Sequence, residues 1–123
     1  MMNGCLLAES LRTGSDVELR GVRLTRVRRR DVSDSVSPTQ PTLWTLIDFE
    51  VDDDLADQLA TALAGALLPE DGWYADFQSV DEHVVVFADR VFRYRKGDLA
   101  ARDRAVQYGR AAGTPEHQLD WGD

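Results

Sequence analysis

The 123 residues are enough for one hydrophobic core, and 43% hydrophobic beside 29% charged residues excludes general disorder. A formal net charge of −8 opposes binding to a polyanion, so nucleic acid is not an expected partner even though six arginines lie between Arg20 and Arg30. A single cysteine excludes an internal disulfide and a thiolate-rich metal site.

The protein is expected in a reducing cytoplasm, as a single α+β domain over residues 1–123. The sequence shows neither a basic and apolar leader nor an apolar run of membrane-spanning length, so we expect no export and no membrane anchor. Thirteen arginines against one lysine indicate a GC-rich bacterial genome. Cys5, near the start, is expected to be an incidental thiol because nothing near it in the sequence indicates a lowered pKa.

The first predicted strand is Val22–Arg29, where apolar residues and arginines alternate after a break at Gly21. We expect its arginines to lie on a solvated face or edge, where charge deters aggregation. Residues 33–42 contain Pro38 and Pro41, whose preceding residues disfavour helix. This segment is therefore predicted to be a surface loop.

The next strand is the clearest one, because apolar and polar residues alternate from Leu43 to Val51. A helix follows over Leu55–Leu67, where leucines recur every four residues. Asp52–Asp54 are predicted to cap that helix, and Pro69 to end it. A calcium loop would need a glycine and a distal glutamate that are missing here.

The second half of the chain predicts a meander of three antiparallel strands, because only short turns separate its apolar runs. These strands are Trp73–Ser79, Val84–Phe87 and Val91–Arg95. Asp98 is predicted to cap a final helix, Leu99–Ala112, which Gly113 ends.

Residues 114–121 predict one helical turn that packs on the body through Leu119 and Trp121. The stretches WYADF, VVVF followed by RVFRY, and GxPExQLDW resemble those of a group of short uncharacterised bacterial proteins. The resemblance covers Trp44 to Trp121. It implies the element boundaries and carries no known activity.

The element order β-β-α-β-β-β-α predicts a two-layer α+β sandwich. Its sheet is expected to be antiparallel or mixed, with four or five strands, and to carry both helices on one face. Such an arrangement is related to the ferredoxin-like fold.

Strand alternation separates an apolar face, expected under the helices, from a mixed face. The apolar set is Ile47, Phe49, Ala75, Phe77, Val84, Val86, Phe92 and Tyr94. The mixed face combines aromatic rings, carboxylates, an imidazole and guanidinium groups, which suits a polar small molecule. Its candidate ligand-binding residues are Trp44, Asp48, Tyr74, Asp76, His83, Arg93 and Arg95.

The mixed face has a simpler interpretation, as a surface covered by the amino-terminal segment or by a second subunit. Asp76 or Glu50 would then pair with Arg93 or Arg95 across strands. The same pattern of residues is therefore compatible with an interface and with a ligand site.

No catalytic residue, metal ligand or cofactor is predicted. His83 stands beside Asp81 and Glu82, yet no serine or cysteine has the sequence context of a nucleophile. His117 lacks the partners of a zinc site. The first expectation is therefore a non-catalytic module that binds a protein partner or forms a homodimer. The alternative is a small-molecule-binding protein or enzyme that uses the mixed face.

Overall fold

The computed structural model describes residues 1–122. Within this range, six strands and two α-helices follow one another in the order β-β-β-α-β-β-β-α. They are β1 (Met2–Leu7), β2 (Val22–Asp31), β3 (Leu43–Val51), α1 (Ala56–Ala64), β4 (Tyr74–Gln78), β5 (Glu82–Phe87), β6 (Arg90–Arg95) and α2 (Leu99–Ala112). All strand pairs are antiparallel, and the strands form one sheet in the order β2-β3-β1-β4-β5-β6. The α+β class is as predicted.

The prediction of four or five strands is wrong because β1 was not expected, and it occupies the middle of the sheet between β3 and β4. Its central Gly4 weakens the sequence signal, since glycine is depleted in strands. A Cβ at Gly4 would lie 2.4 Å from the Asp76 carbonyl oxygen and 2.4 Å from the Phe77 Cβ. Glycine is thus the residue that lets β1 and β4 approach so closely.

The two helices lie on opposite faces of the sheet, so the prediction of both helices on one face is wrong. Helix α1 packs on Val84 and Val86, whereas α2 packs on Val85 and Phe87. Consecutive residues of a strand point to opposite faces. Because β5 is apolar on both faces, its sequence shows no alternation that could have revealed this layout.

The prediction that Phe92 and Tyr94 share one apolar face with Val84 and Val86 is also wrong. Phe92 pairs with Val85 and Tyr94 pairs with His83, and paired residues share a face. Both rings therefore belong to the apolar cluster under α2. The predicted turn between β5 and β6 is one residue out of phase. A shift of one residue assigns every side chain of β6 to the opposite face of the sheet.

Several element ends are confirmed. Strand β3 and helix α2 have the predicted bounds, and the Asp98 carboxylate accepts a hydrogen bond from the Ala101 amide at 3.1 Å. Gly113 ends α2 with φ at 101°. Strand β2 continues two residues beyond the prediction, to Asp31, and contains an irregularity between Leu24 and Arg26.

The capping role predicted for Asp52–Asp54 is wrong. Asp53 and Asp54 lie inside a 3₁₀ turn, Asp53–Leu55, that precedes α1. Neither Asp52, the N-cap of this turn, nor Leu55, the N-cap of α1, makes a side-chain capping hydrogen bond. Helix α1 then ends at Ala64. Its predicted end at Leu67 was too late because a tight turn after Gly65 carries the apolar residues that follow.

The predicted loop and the predicted tail meet at one end of the sheet. Gln40 of the loop is buried, and its side-chain amide exchanges hydrogen bonds of 3.2 and 3.0 Å with that of Gln118. The tail contains a 3₁₀ turn, Glu116–Gln118, and buries Leu119 and Trp121 in the cluster under α2. Across the described residues, no helix combines the length and apolarity needed to cross a membrane.

Candidate functional site

A cavity of about 330 Å³ opens on the α2 face, beside the half of the sheet that α2 leaves uncovered. The apolar cluster under α2 draws its sheet residues from β4, β5 and β6. Strands β1 and β3 instead contribute to the cavity, which the tail closes from the other side. We call it the tail cavity. Its lining residues are Cys5, Leu7, Ser35, Trp44, Leu46, Gly72, Trp73, Tyr74, Asp76, His117, Gln118 and Asp120.

The tail cavity forms where β1 and β4 part. Their pairing extends only as far as Cys5 opposite Asp76, although β1 continues to Leu7 and β4 already begins at Tyr74. The tail bridges the resulting gap, because the Tyr74 hydroxyl donates a hydrogen bond to the Gln118 carbonyl. One end of the sheet and the end of the chain thus shape the same space.

Three aromatic side chains form one wall of the tail cavity. The rings of Trp44 and Trp73 meet edge to face with centroids 5.5 Å apart. The Trp44 indole donates to the Pro41 carbonyl at 2.9 Å, which fixes its orientation. Tyr74 packs at 5.1 Å against Trp121 of the tail. These contacts hold the wall in place without any ligand.

Three polar side chains, Cys5, Asp48 and Asp76, lie side by side on neighbouring strands at the floor of the tail cavity. Cys5 on β1 is paired with Asp48 on β3 and with Asp76 on β4. The Asp48 carboxylate accepts hydrogen bonds from Arg26 at 3.1 Å and from Arg28 at 2.8 Å. Asp48 is therefore neutralised from the β2 side, whereas Asp76 faces the tail cavity.

Burial, and then the hydrogen bond to Asp48, raises the pKa of the Cys5 thiol to about 11. Burial opposes ionisation of Asp48, but hydrogen bonds from Arg28 and Arg26 outweigh it and lower the pKa of that carboxyl. Burial also raises the pKa of the Tyr74 hydroxyl, with a further contribution from the charge of Asp76. At neutral pH Cys5 is thus a thiol, and it lacks the thiolate character of a catalytic nucleophile.

His83 supports Asp76 from inside the protein. Its side chain is fully buried, and its Nε2 lies 2.9 Å from Oδ2 of Asp76. Its ring also lies 5.9 Å from the Tyr94 ring. The acid partner of His83 is thus Asp76 and not the adjacent Glu82, which binds Arg93. An imidazole behind a carboxylate fixes the direction in which that carboxylate points.

Five of the seven candidate residues lie together on the α2 face. Trp44, Tyr74 and Asp76 line the tail cavity, while Asp48 and His83 flank its floor as hydrogen-bonded neighbours. This grouping is the one that strand alternation predicts.

The other two candidates, Arg93 and Arg95, lie on the α1 face. The Arg93 guanidinium binds both oxygens of Glu82, at 2.9 and 3.0 Å, and reaches Asp57 of α1 at 2.7 Å. Both arginines were expected beside Asp76. That prediction is wrong because of the same one-residue phase error in β6. The alternative pairing is also wrong, because Asp76 binds His83 and Glu50 binds Arg23.

Sequence reasoning missed several lining residues. Cys5 and Leu7 belong to the unpredicted β1, and Trp73 directly precedes β4. Asp120 and His117 come from the tail, where only the burial of apolar residues was expected. The one available signal was that polar residues, among them His117 and Asp120, stand close to the apolar anchors Leu119 and Trp121.

No family model, curated protein or solved structure matches the chain. Among the described residues, no three His, Cys, Asp or Glu side chains are grouped so that they could hold a metal ion. The chemistry of the tail cavity is therefore inferred from its lining residues.

Proposed function

We propose that the tail cavity binds a small organic cation, such as an amine or a quaternary ammonium compound. One observation carries the proposal. Three aromatic rings and the carboxylates of Asp76 and Asp120 line the cavity, with no lysine or arginine among its described lining residues.

Aromatic rings attract cations through the negative electrostatic potential of their faces, and tryptophan does so most strongly. Trp44 and Trp73 supply two indoles, and Tyr74 supplies a phenol that stays uncharged because burial raises its pKa. The two carboxylates add direct Coulombic attraction inside a partly desolvated site. The two carboxylates and the faces of the rings would repel an anionic ligand.

The volume of about 330 Å³ lies at the small end of the range for ligand sites, which suits a compact molecule. Binding rather than catalysis is proposed because the neighbouring thiol is protonated at neutral pH. The role of the Asp76–His83 pair is to orient one carboxylate toward the ligand.

The proposal keeps two expectations from the sequence. We place the protein in the cytoplasm, where a reducing environment would preserve the Cys5 thiol. We also keep a distant relation to the ferredoxin-like fold. Strands β3 and β4 are both antiparallel to β1, so they run parallel to each other with β1 between them. The β3-α1-β4 unit is therefore a split β-α-β unit, as in the ferredoxin-like fold.

Tryptophan fluorescence and calorimetry with choline test the proposal. Its neutral isostere, 3,3-dimethylbutan-1-ol, has the same shape without the charge. We expect choline to bind at least about tenfold more tightly than the alcohol. Benzyltrimethylammonium extends the panel to a larger quaternary ammonium ion, and putrescine extends it to a primary diamine.

Two variants assign the binding to the tail cavity. We expect Asp120→Asn and Trp44→Leu each to weaken cation binding by about threefold to thirtyfold. Asp54→Asn removes the same charge on the α1 side and should leave the affinity unchanged. Equal binding of the neutral isostere, or no binding of any of the three cations at about 10 mM, would refute the proposal.

A further inference from the structure

The outer edge of β2 is a second candidate binding surface, separate from the tail cavity. Strand β2 has ten residues and stands at the end of the sheet, paired with β3 on one side only. The outward backbone N–H and C=O groups of such a strand can pair with another extended chain. We call this surface the β2 edge.

Arginines dominate the α2 face of the β2 edge. Arg23, Arg26, Arg28 and Arg30 stand there, opposite residues of β3 that include two carboxylates. Glu50 binds Arg23, and Asp48 binds Arg26 and Arg28. Within the described residues Arg30 forms no ion pair. Four arginines therefore face two carboxylates, and an excess of positive charge remains on a surface where Arg26 is 62% exposed.

The middle of the β2 edge is apolar on the α1 face. Leu24 and Val27 are 55% and 58% exposed, beside Phe49 and Ile47 of β3. Toward the end of β2 the same face becomes charged, because Arg29 and Asp31 pair with Thr45 and Leu43 of β3. Large apolar side chains grouped in this way mark binding surfaces more often than single exposed ones do.

Strand β3 shows what kind of segment β2 accepts. Its acids, Asp48 and Glu50, face the arginines, while Ile47 and Phe49 lie beside Val27 and Leu24 on the other face. On its unpaired side the β2 edge presents the same arginines on the α2 face and the same apolar residues, Leu24 and Val27, on the α1 face. We propose that the β2 edge binds an extended segment of a partner protein in which acidic and apolar residues alternate, by adding it as a seventh strand.

A second copy of the chain fits the β2 edge less well. A two-fold axis perpendicular to the sheet would place arginines opposite arginines on one face, and like charges directly across a strand pair are destabilising. Nucleic acid also fits less well, because it would leave Leu24 and Val27 uncovered. The net charge of −8 would repel it over the rest of the molecule.

A synthetic peptide of alternating valine and glutamate tests the proposal. It has nine residues, the length of β3, and carries a fluorescent label. Its control has the same composition, with the valines and the glutamates in two separate blocks. We expect the alternating peptide to bind at least about tenfold more tightly in anisotropy titrations, and amide chemical shifts to move along β2.

Variants on each face of the strand locate the binding. We expect Arg30→Glu and Val27→Lys each to weaken binding at least about fivefold. Arg104→Glu makes the same charge change as Arg30→Glu on exposed α2 and should have no effect. Circular dichroism of each variant verifies that it folds, and Val27→Lys, which lies on the α1 face, should leave choline binding in the tail cavity unaffected.

Four outcomes would overturn the proposal. The first two are equal binding of the block peptide and unchanged binding of the alternating peptide by both edge variants. The third is a dimer in sedimentation that Arg30→Glu dissociates or strengthens, and the fourth is a short DNA duplex that displaces the peptide from β2. The third outcome would assign the β2 edge to a second copy, and the fourth to nucleic acid.

Discussion

At the scale of single residues, neighbours across the sheet set the chemistry of the floor of the tail cavity. Cys5 is confined between Asp48 and Asp76, and burial together with the hydrogen bond to Asp48 keeps it protonated. None of these neighbours is close to Cys5 in the sequence. A local reading of the first residues therefore could not identify the environment of the thiol.

Alkylation of Cys5 by iodoacetamide should be slow at pH 8. With a pKa of about 11, only about 0.1% of the thiol is ionised at that pH, against roughly a quarter for an ordinary cysteine. The rate should rise about tenfold per pH unit up to pH 10. Mass spectrometry of the alkylated protein measures it.

Asp48→Asn should accelerate this reaction about tenfold, because losing the carboxylate lowers the pKa of the thiol. Asp54→Asn is the control and should not change the rate. A slower reaction in Asp48→Asn would show that access to the thiol, and not its ionisation, limits alkylation.

At the scale of elements, alternation predicts both a strand and its two faces, whereas a continuous apolar run predicts the strand without showing which residues share a face. Strand β3 alternates clearly, and α2 carries both a capping aspartate and a terminal glycine, so both are predictable. Strand β1 contains a glycine and was not predicted, and β5 is apolar on both faces from Val84 to Phe87. Their positions depend on contacts with strands that are distant in sequence.

Gly4→Ala tests why β1 contains that glycine. The new methyl group would meet the backbone of Asp76 and the Cβ of Phe77, neither of which can move aside cheaply. We expect the free energy of unfolding to fall by about 3 kcal/mol in urea titrations. Gly65→Ala adds the same methyl group where its nearest neighbours are 3.7 Å away, so it should change stability by less than about 1 kcal/mol.

At the scale of the whole molecule, one sheet separates two apolar clusters, and β5 belongs to both. The candidate site follows from this layout, because the cluster under α2 involves only strands β4, β5 and β6, and the tail cavity lies beside it over β1 and β3. Its aromatic and acidic residues on β3 and β4 were predictable from alternation. The contribution of the tail and of β1 was not, because it arises from the folding of the chain ends onto the sheet.

Because β5 joins the two clusters, damage on one face should destabilise the other. We expect Leu63→Ala, under α1, to cost about 2–5 kcal/mol, and Val106→Ala, in α2, about 2 kcal/mol. The three tryptophans lie in the tail cavity or under α2. Leu63→Ala should nevertheless shift their fluorescence transition together with the far-ultraviolet circular dichroism, in one step.

Leu99→Ala is the matched control for this pair, since Leu99 is 68% exposed and should change stability by less than about 0.5 kcal/mol. Separate fluorescence and dichroism transitions in Leu63→Ala would show that the two faces unfold independently.

The central place of β1 has a consequence for how the chain assembles. The partners of β1 are strands that appear much later in the sequence, with Gly4 opposite both Phe49 and Phe77. Closing such long loops carries an entropic cost and slows folding. Until β1 inserts, the inward edges of β3 and β4 stay unpaired. Newly made chains are then most exposed to aggregation just before the middle of the sheet is completed.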